Sequence, residues 1–121
     1  DGRLVKLGDG HPHPRWYGTF LRVLGHYVRE RKVLSLNEAI YKMTYLPAQA
    51  MGLKKRGLIQ EGYKADLTLF DPETIIDKAT FEKPHQYSEG IQYVIVNGQL
   101  TVDQGIFKPT KSGVVLKKNA L

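Results

Sequence analysis

The apolar residues of this chain change their period once and never change it back, and that switch constrains the fold more than any other feature. Over residues 16–52 apolar side chains recur at three- and four-residue spacing, which predicts helices. From Gly57 onward they alternate or gather in short runs separated by turn residues, which predicts strands. All helices therefore precede all strands, an α+β order in which the two groups form different layers or domains, here divided as residues 1–56 and 57–121.

The local signals within each part are specific. Phe20, Leu21, Val23, Leu24, Tyr27 and Val28 are expected to form the buried stripe of a first helix, with Arg22, Arg29 and Glu30 on the wet side. Ser35 followed by Glu38 is a capping box that opens a second helix, whose stripe is Leu36, Ala39, Ile40 and Met43. Pro47 suits the first turn of a short third helix, and Gly52 its left-handed end. In the strand part, Asn97-Gly98 supplies the two positive-φ residues of a type I′ turn. A two-residue turn pairs Val96 with Gln99, Ile95 with Leu100 and Tyr93 with Val102, so Tyr93, Ile95, Leu100 and Val102 share one apolar face. A strand over residues 65–70 stops at Asp71-Pro72, and weaker strands are expected at 58–59 and 114–116.

Composition removes several functional classes. With 41% apolar and 25% charged residues the chain is of ordinary globular type, and its 121 residues suffice for one domain of average size. No apolar run reaches the roughly 20 residues that cross a bilayer, so no membrane partner is expected. The absence of Cys excludes thiolate metal sites and disulfides, and fits a reducing cytoplasm. A net charge of +6 suggests nucleic acid, yet Arg29, Arg31, Lys54, Arg56, Lys117 and Lys118 are scattered and not interleaved with aromatic rings for base stacking. No nucleic-acid partner is expected.

Two features predict an incomplete fold. Four or five short strands have no partner sheet to bury their apolar face, and the first helix carries six large apolar side chains in nine residues. Such surfaces are expected to drive docking onto a missing N-terminal barrel portion, or self-association. A free-standing, non-catalytic interaction module built on the same strands is the alternative.

Several segments resemble the end of an amidohydrolase-superfamily enzyme. Gly57-Leu58-Ile59-Gln60-Glu61-Gly62-Tyr63-Lys64-Ala65-Asp66-Leu67 through Asp71 is similar to the stretch G-x-I-x-x-G-x-x-A-D-L-x-x-x-D by which such chains leave the barrel for a small β-sandwich. Glu38 to Thr44 with Leu46-Pro47-Ala48 resembles the preceding helix pair. His13-Pro14-Arg15-Trp16-Tyr17-Gly18-Thr19-Phe20, continued by Arg22-Val23-Leu24-Gly25, is similar to a segment of the N-acyl-D-amino-acid deacylases. The run Thr80-Phe81-Glu82-Lys83-Pro84-His85-Gln86-Tyr87 also fits that family. The resemblance implies helices from the end of a (β/α)8 barrel, then the C-terminal strands of a composite β-sandwich.

It also implies a chemistry, the deacylation of N-acyl-D-amino acids by hydrolysis of a linear amide C–N bond. Asp1 stands where such enzymes keep a barrel-end aspartate, a general base and then acid that also touches the metal. The resemblance implies zinc in a complete enzyme and none in this chain alone, which is expected to be inactive by itself. Arg15, with His13 beside it, is the candidate for substrate contact, because a guanidinium can hold the substrate carboxylate through two parallel hydrogen bonds. His11 and His13 form an H-x-H pair, which reads as a loop pair because no further ligand converges on it. Asp66 is expected to fix a turn or pair with a cation.

Overall fold

A computed structural model describes residues 6–116. Four helical segments come first: α1 at Arg15–Arg22, a π-helix at Val23–Glu30, α2 at Leu36–Met43 and α3 at Tyr45–Ala50. One antiparallel sheet follows, a meander of β1 (Leu67–Phe70), β2 (Ile91–Val96), β3 (Gln99–Asp103) and β4 (Ile106–Phe107). No helix among the described residues is long and apolar enough to cross a membrane.

The helix caps form as their residue types dictate. Ser35 Oγ accepts from the Glu38 amide at 3.2 Å and the Glu38 carboxylate accepts from the Ser35 amide at 2.8 Å, closing the capping box. Ala39, Ile40 and Met43 then turn toward the core. Helix α3 carries Pro47 in its first turn and ends at Gly52, whose φ of +71° lets the Leu53 amide reach the Ala48 carbonyl at 2.8 Å.

The first helical stretch differs from expectation in winding and in face. It continues from α1 into a π-helix, closed at its end by the Arg31 amide on the His26 carbonyl, and it stops where Lys32 adopts φ +51°. Its buried side runs through Gly18, Leu21, Leu24, Gly25 and Val28, while Phe20 is 60% and Tyr27 42% exposed. The physical reason is close backbone approach. A Cβ at Gly18 would stand 2.5 Å from the Asp77 Cβ, and one at Gly25 2.5 Å from the Ile75 carbonyl oxygen. Glycine carries no apolar weight, so a stripe drawn through large side chains is centred away from the true contact. Arg29 is also turned inward: its guanidinium donates to the carbonyls of Ile75 at 2.6 Å and Pro72 at 3.1 Å.

Residues 71–90 lie between the helices and the sheet. Ile75, 1% exposed, forms the core with Leu24 and Ala39, and Phe70 and Ile91 pack against it from the sheet. An isolated bridge pairs Ile76 with Glu89, and Gly90, at φ +93°, comes so close that a Cβ there would meet the Ile75 Cα at 2.4 Å. Segment 75–77 is thus gripped from both sides by glycine backbone.

The hairpin turns where expected, with Asn97 at φ +47° and Gly98 at +77°. Val96 pairs with Gln99 and Ile95 with Leu100, as the turn requires. Beyond that a bulge intervenes: Val94 pairs with Val102 and Tyr93 with Asp103. One extra residue, Thr101, shifts Val102 out of the expected set with Tyr93. Residues 58–59 and 114–116 form no strand, whereas Ile106–Phe107 does. Asp66 ties the hairpin down, since its carboxylate accepts from the Asn97 amide at 2.8 Å and pairs with Arg56.

Candidate functional site

Asp1 lies outside the described residues. The other expected site residues sit on a loop that runs into α1. His13 stands two positions before that helix and works as its cap: Pro14 has no side-chain donor or acceptor to offer, and the His13 Nδ1 accepts from the Arg15 amide at 3.0 Å. Arg15 opens α1 with its side chain exposed, and its carbonyl accepts from the Thr19 hydroxyl at 2.6 Å. His13 and Arg15 are therefore joined through one hydrogen bond, on adjacent faces of one helix start.

Both histidines of the H-x-H pair meet Phe81. His11 Nε2 donates to the Phe81 carbonyl at 2.6 Å, and the His13 ring stands edge-on to the Phe81 ring at 5.0 Å and 78°. Each ring is thus engaged by protein. Among the described residues no three His, Cys, Asp or Glu side chains gather to hold a metal ion. The donor set here does not fit zinc, so such an ion would draw its ligands from outside residues 6–116.

Segment 80–88 is the other wall of this region, and His85 is its central group. The ring meets the Gly8 amide at 3.1 Å and the Tyr17 hydroxyl at 2.8 Å through Nδ1, and the Gly10 carbonyl at 3.0 Å through Nε2. An amide can only donate and a carbonyl can only accept, so Nδ1 must be the acceptor and Nε2 must carry the proton. Tyr17 is then the second donor to Nδ1. Desolvation, reinforced by the nearby Tyr87 and Asp9, raises its pKa above the ordinary 10.0 and keeps the phenol protonated for that role. Tyr87 stacks edge-on against Tyr17 at 5.7 Å, and the Ser88 hydroxyl donates to the Tyr17 carbonyl at 3.2 Å.

Sequence reasoning assigned no role to His85, since it sits in a turn-rich stretch without periodicity. Its partners lie 68 to 77 positions away, beyond the reach of any local pattern. Further along α1, Arg22 pairs with Asp77 at 3.2 Å, and that hydrogen bond is the main cause raising its pKa above 12.5. The Trp16 indole N–H is buried without a hydrogen-bond partner among the described residues. A cavity of about 440 Å³ lies elsewhere, among Asp71, Thr74, Gly90 and Tyr93, and includes none of the expected site residues.

Comparison with known proteins gives this arrangement a context. A family model described as the amidohydrolase family matches residues 6–102. The chain is 55% identical over 95 residues to the N-acyl-D-aspartate deacylase of Alcaligenes xylosoxydans xylosoxydans, covering 78% of this chain and 19% of that protein. It is 47% identical over 112 residues to the D-aminoacylase of the same organism, covering 93% of this chain and 23% of the relative. A crystal structure of D-aminoacylase superimposes with a TM-score of 0.83 at 48% identity, over 85% of this chain and 22% of that one. The N-acyl-D-glutamate deacylase of Bordetella bronchiseptica, solved with zinc and a phosphonate mimic of the tetrahedral intermediate, gives 0.74 at 47% identity, over 75% and 19%. The chain spans about a fifth of the length of these relatives.

Proposed function

We propose that this chain, which belongs to the amidohydrolase family, serves as the C-terminal part of an N-acyl-D-amino-acid deacylase, an enzyme that hydrolyses a linear amide C–N bond. The observation that carries this reading is 47% identity to a D-aminoacylase across 93% of the chain, unbroken through the loop that bears His13 and Arg15. Two further relatives are named for N-acyl-D-aspartate and N-acyl-D-glutamate, so an N-acylated D-amino acid is the substrate class proposed.

In this reading Arg15 receives the free carboxylate of the substrate through paired, charge-assisted hydrogen bonds. The bond from its amide to His13 Nδ1 fixes where α1 begins, and so where the guanidinium stem leaves the backbone. Asp1 takes the proton of the attacking water on its carboxylate and returns it to the leaving nitrogen. Zinc is the ion proposed for the complete enzyme, bound there by residues other than those described. Exposed apolar side chains on the sheet and at residues 114–116 support docking against the remainder of the enzyme or against a second copy.

The test is an assay of the complete enzyme on N-acetyl-D- and N-acetyl-L-amino acids with added zinc. Hydrolysis of the D series, lowered by Arg15→Met mainly through a higher KM, is the expected result. Absence of any D-selective hydrolysis would sink the proposal.

A further inference from the structure

We infer that His85 is a positioning residue for the loop that carries His13 and Arg15, holding that loop by its backbone at Gly8 and Gly10. The inference rests on the deacylase reading for the word substrate, and on geometry alone for the loop. Gly8 and Gly10 adopt φ +92° and +64°, and a Cβ at either position would meet nothing within 4 Å. Glycine is therefore used here for its left-handed backbone, not for space. Those two turns bend the chain so that one N–H and one carbonyl, two residues apart, converge on opposite nitrogens of one ring.

The ring itself is held from three sides. Tyr17 on α1 donates to Nδ1 and stacks edge-on at 5.7 Å, and Pro84, the residue before His85, is buried. Phe81, four positions earlier, receives His11 and stacks on His13. Segment 80–88 thus clamps the loop at Gly8, Gly10, His11 and His13 in succession, and Arg15 follows directly. An imidazole suits the clamp because one neutral tautomer presents an acceptor and a donor about 2 Å apart in a fixed plane. Misplacement of a substrate-holding group by as little as about 1 Å can cost roughly a hundredfold in rate.

Two measurements test this. In the full chain, imidazole nitrogen shifts are expected to show His85 with its proton on Nε2. Amide hydrogen exchange at Gly8 is expected to rise at least about tenfold in His85→Ala, and less in His85→Gln, whose amide keeps one donor and one acceptor. A proton on Nδ1, or unchanged exchange at Gly8, overturns the inference whatever the enzyme's activity. In the complete enzyme, His85→Ala is expected to raise KM for the N-acyl-D-amino acid about tenfold with kcat held within about twofold, partly restored in His85→Gln. A lower melting temperature with unchanged KM marks a merely structural role and overturns it too. A wild type without deacylase activity removes the proposed substrate and leaves the exchange result to decide the positioning role.

Discussion

Segment 75–77 and strand β4 are both short and extended, yet the molecule treats them in opposite ways. Ile75 is covered on every side: Gly18 and Gly25 bring the helix backbone against one side of its segment, Gly90 closes another, and Arg29 satisfies its carbonyl. Ile106 and Phe107 of β4 are 69% and 67% exposed, and Val114, Val115 and Leu116 beyond them are exposed as well. The first segment is completed by its own chain. The second presents apolar surface with no cover among residues 6–116. The stability of this protein therefore concentrates where helices and sheet are joined, and its sheet edge contributes little until something covers it.

Substitutions can break that contrast. Ile75→Ala should have the largest effect, about 4 kcal/mol lost in chemical denaturation, because a fully buried branched side chain leaves a cavity that rigid neighbours cannot fill. Gly25→Ala should follow at about 2 kcal/mol, since its Cβ must displace a backbone carbonyl and not a flexible side-chain end. Ser35→Ala, away from the junction, should cost about 1 kcal/mol through the lost cap. Phe107→Ser should change the unfolding midpoint by less than about 0.5 kcal/mol and reduce self-association in sedimentation, since little of that ring is buried. A loss at Phe107 as large as that at Ile75 would erase the distinction between the two regions.

Acid sharpens the comparison further. The Ser35 amide and hydroxyl lower the Glu38 pKa below its ordinary 4.5. A depressed carboxylate contributes stability that is fully present above the unfolded value and is lost as pH falls through the folded one. The stability gap between wild type and Glu38→Gln should accordingly be constant at neutral pH and close below about pH 4.5, whereas the Ile75→Ala gap should persist there. Urea titrations at several pH values measure both.

Features governed by nearby residues were legible in the sequence. The capping box at Ser35, the helix end at Gly52 and the turn at Asn97-Gly98 each depend on side-chain or backbone chemistry within four positions. The resemblance that pointed to the amidohydrolases rested on motifs of the same short reach, and the family match bears it out. What escaped was long-range. The true face of the first helix is set by glycines whose partners lie some fifty to sixty positions away, and the bulge at Thr101 has no turn residue to announce it. His85 was invisible as a site residue for the same reason, because a histidine's role follows from which donors and acceptors surround it. His13 was named from its motif, but its part in starting α1 emerged only from the bond to the Arg15 amide.

The π-helical run over Val23–Glu30 has a consequence for how this region tolerates change in length. Each of its turns spends one residue more than an α-helix would, so the run behaves as a built-in insertion. Deleting a residue around His26 could be absorbed by rewinding to ordinary pitch, with no loop broken. The residues that follow would then be rotated by roughly 100° about the axis. Arg29 would swing off the carbonyls of Pro72 and Ile75, and a chain whose helix looked more regular would have lost its latch.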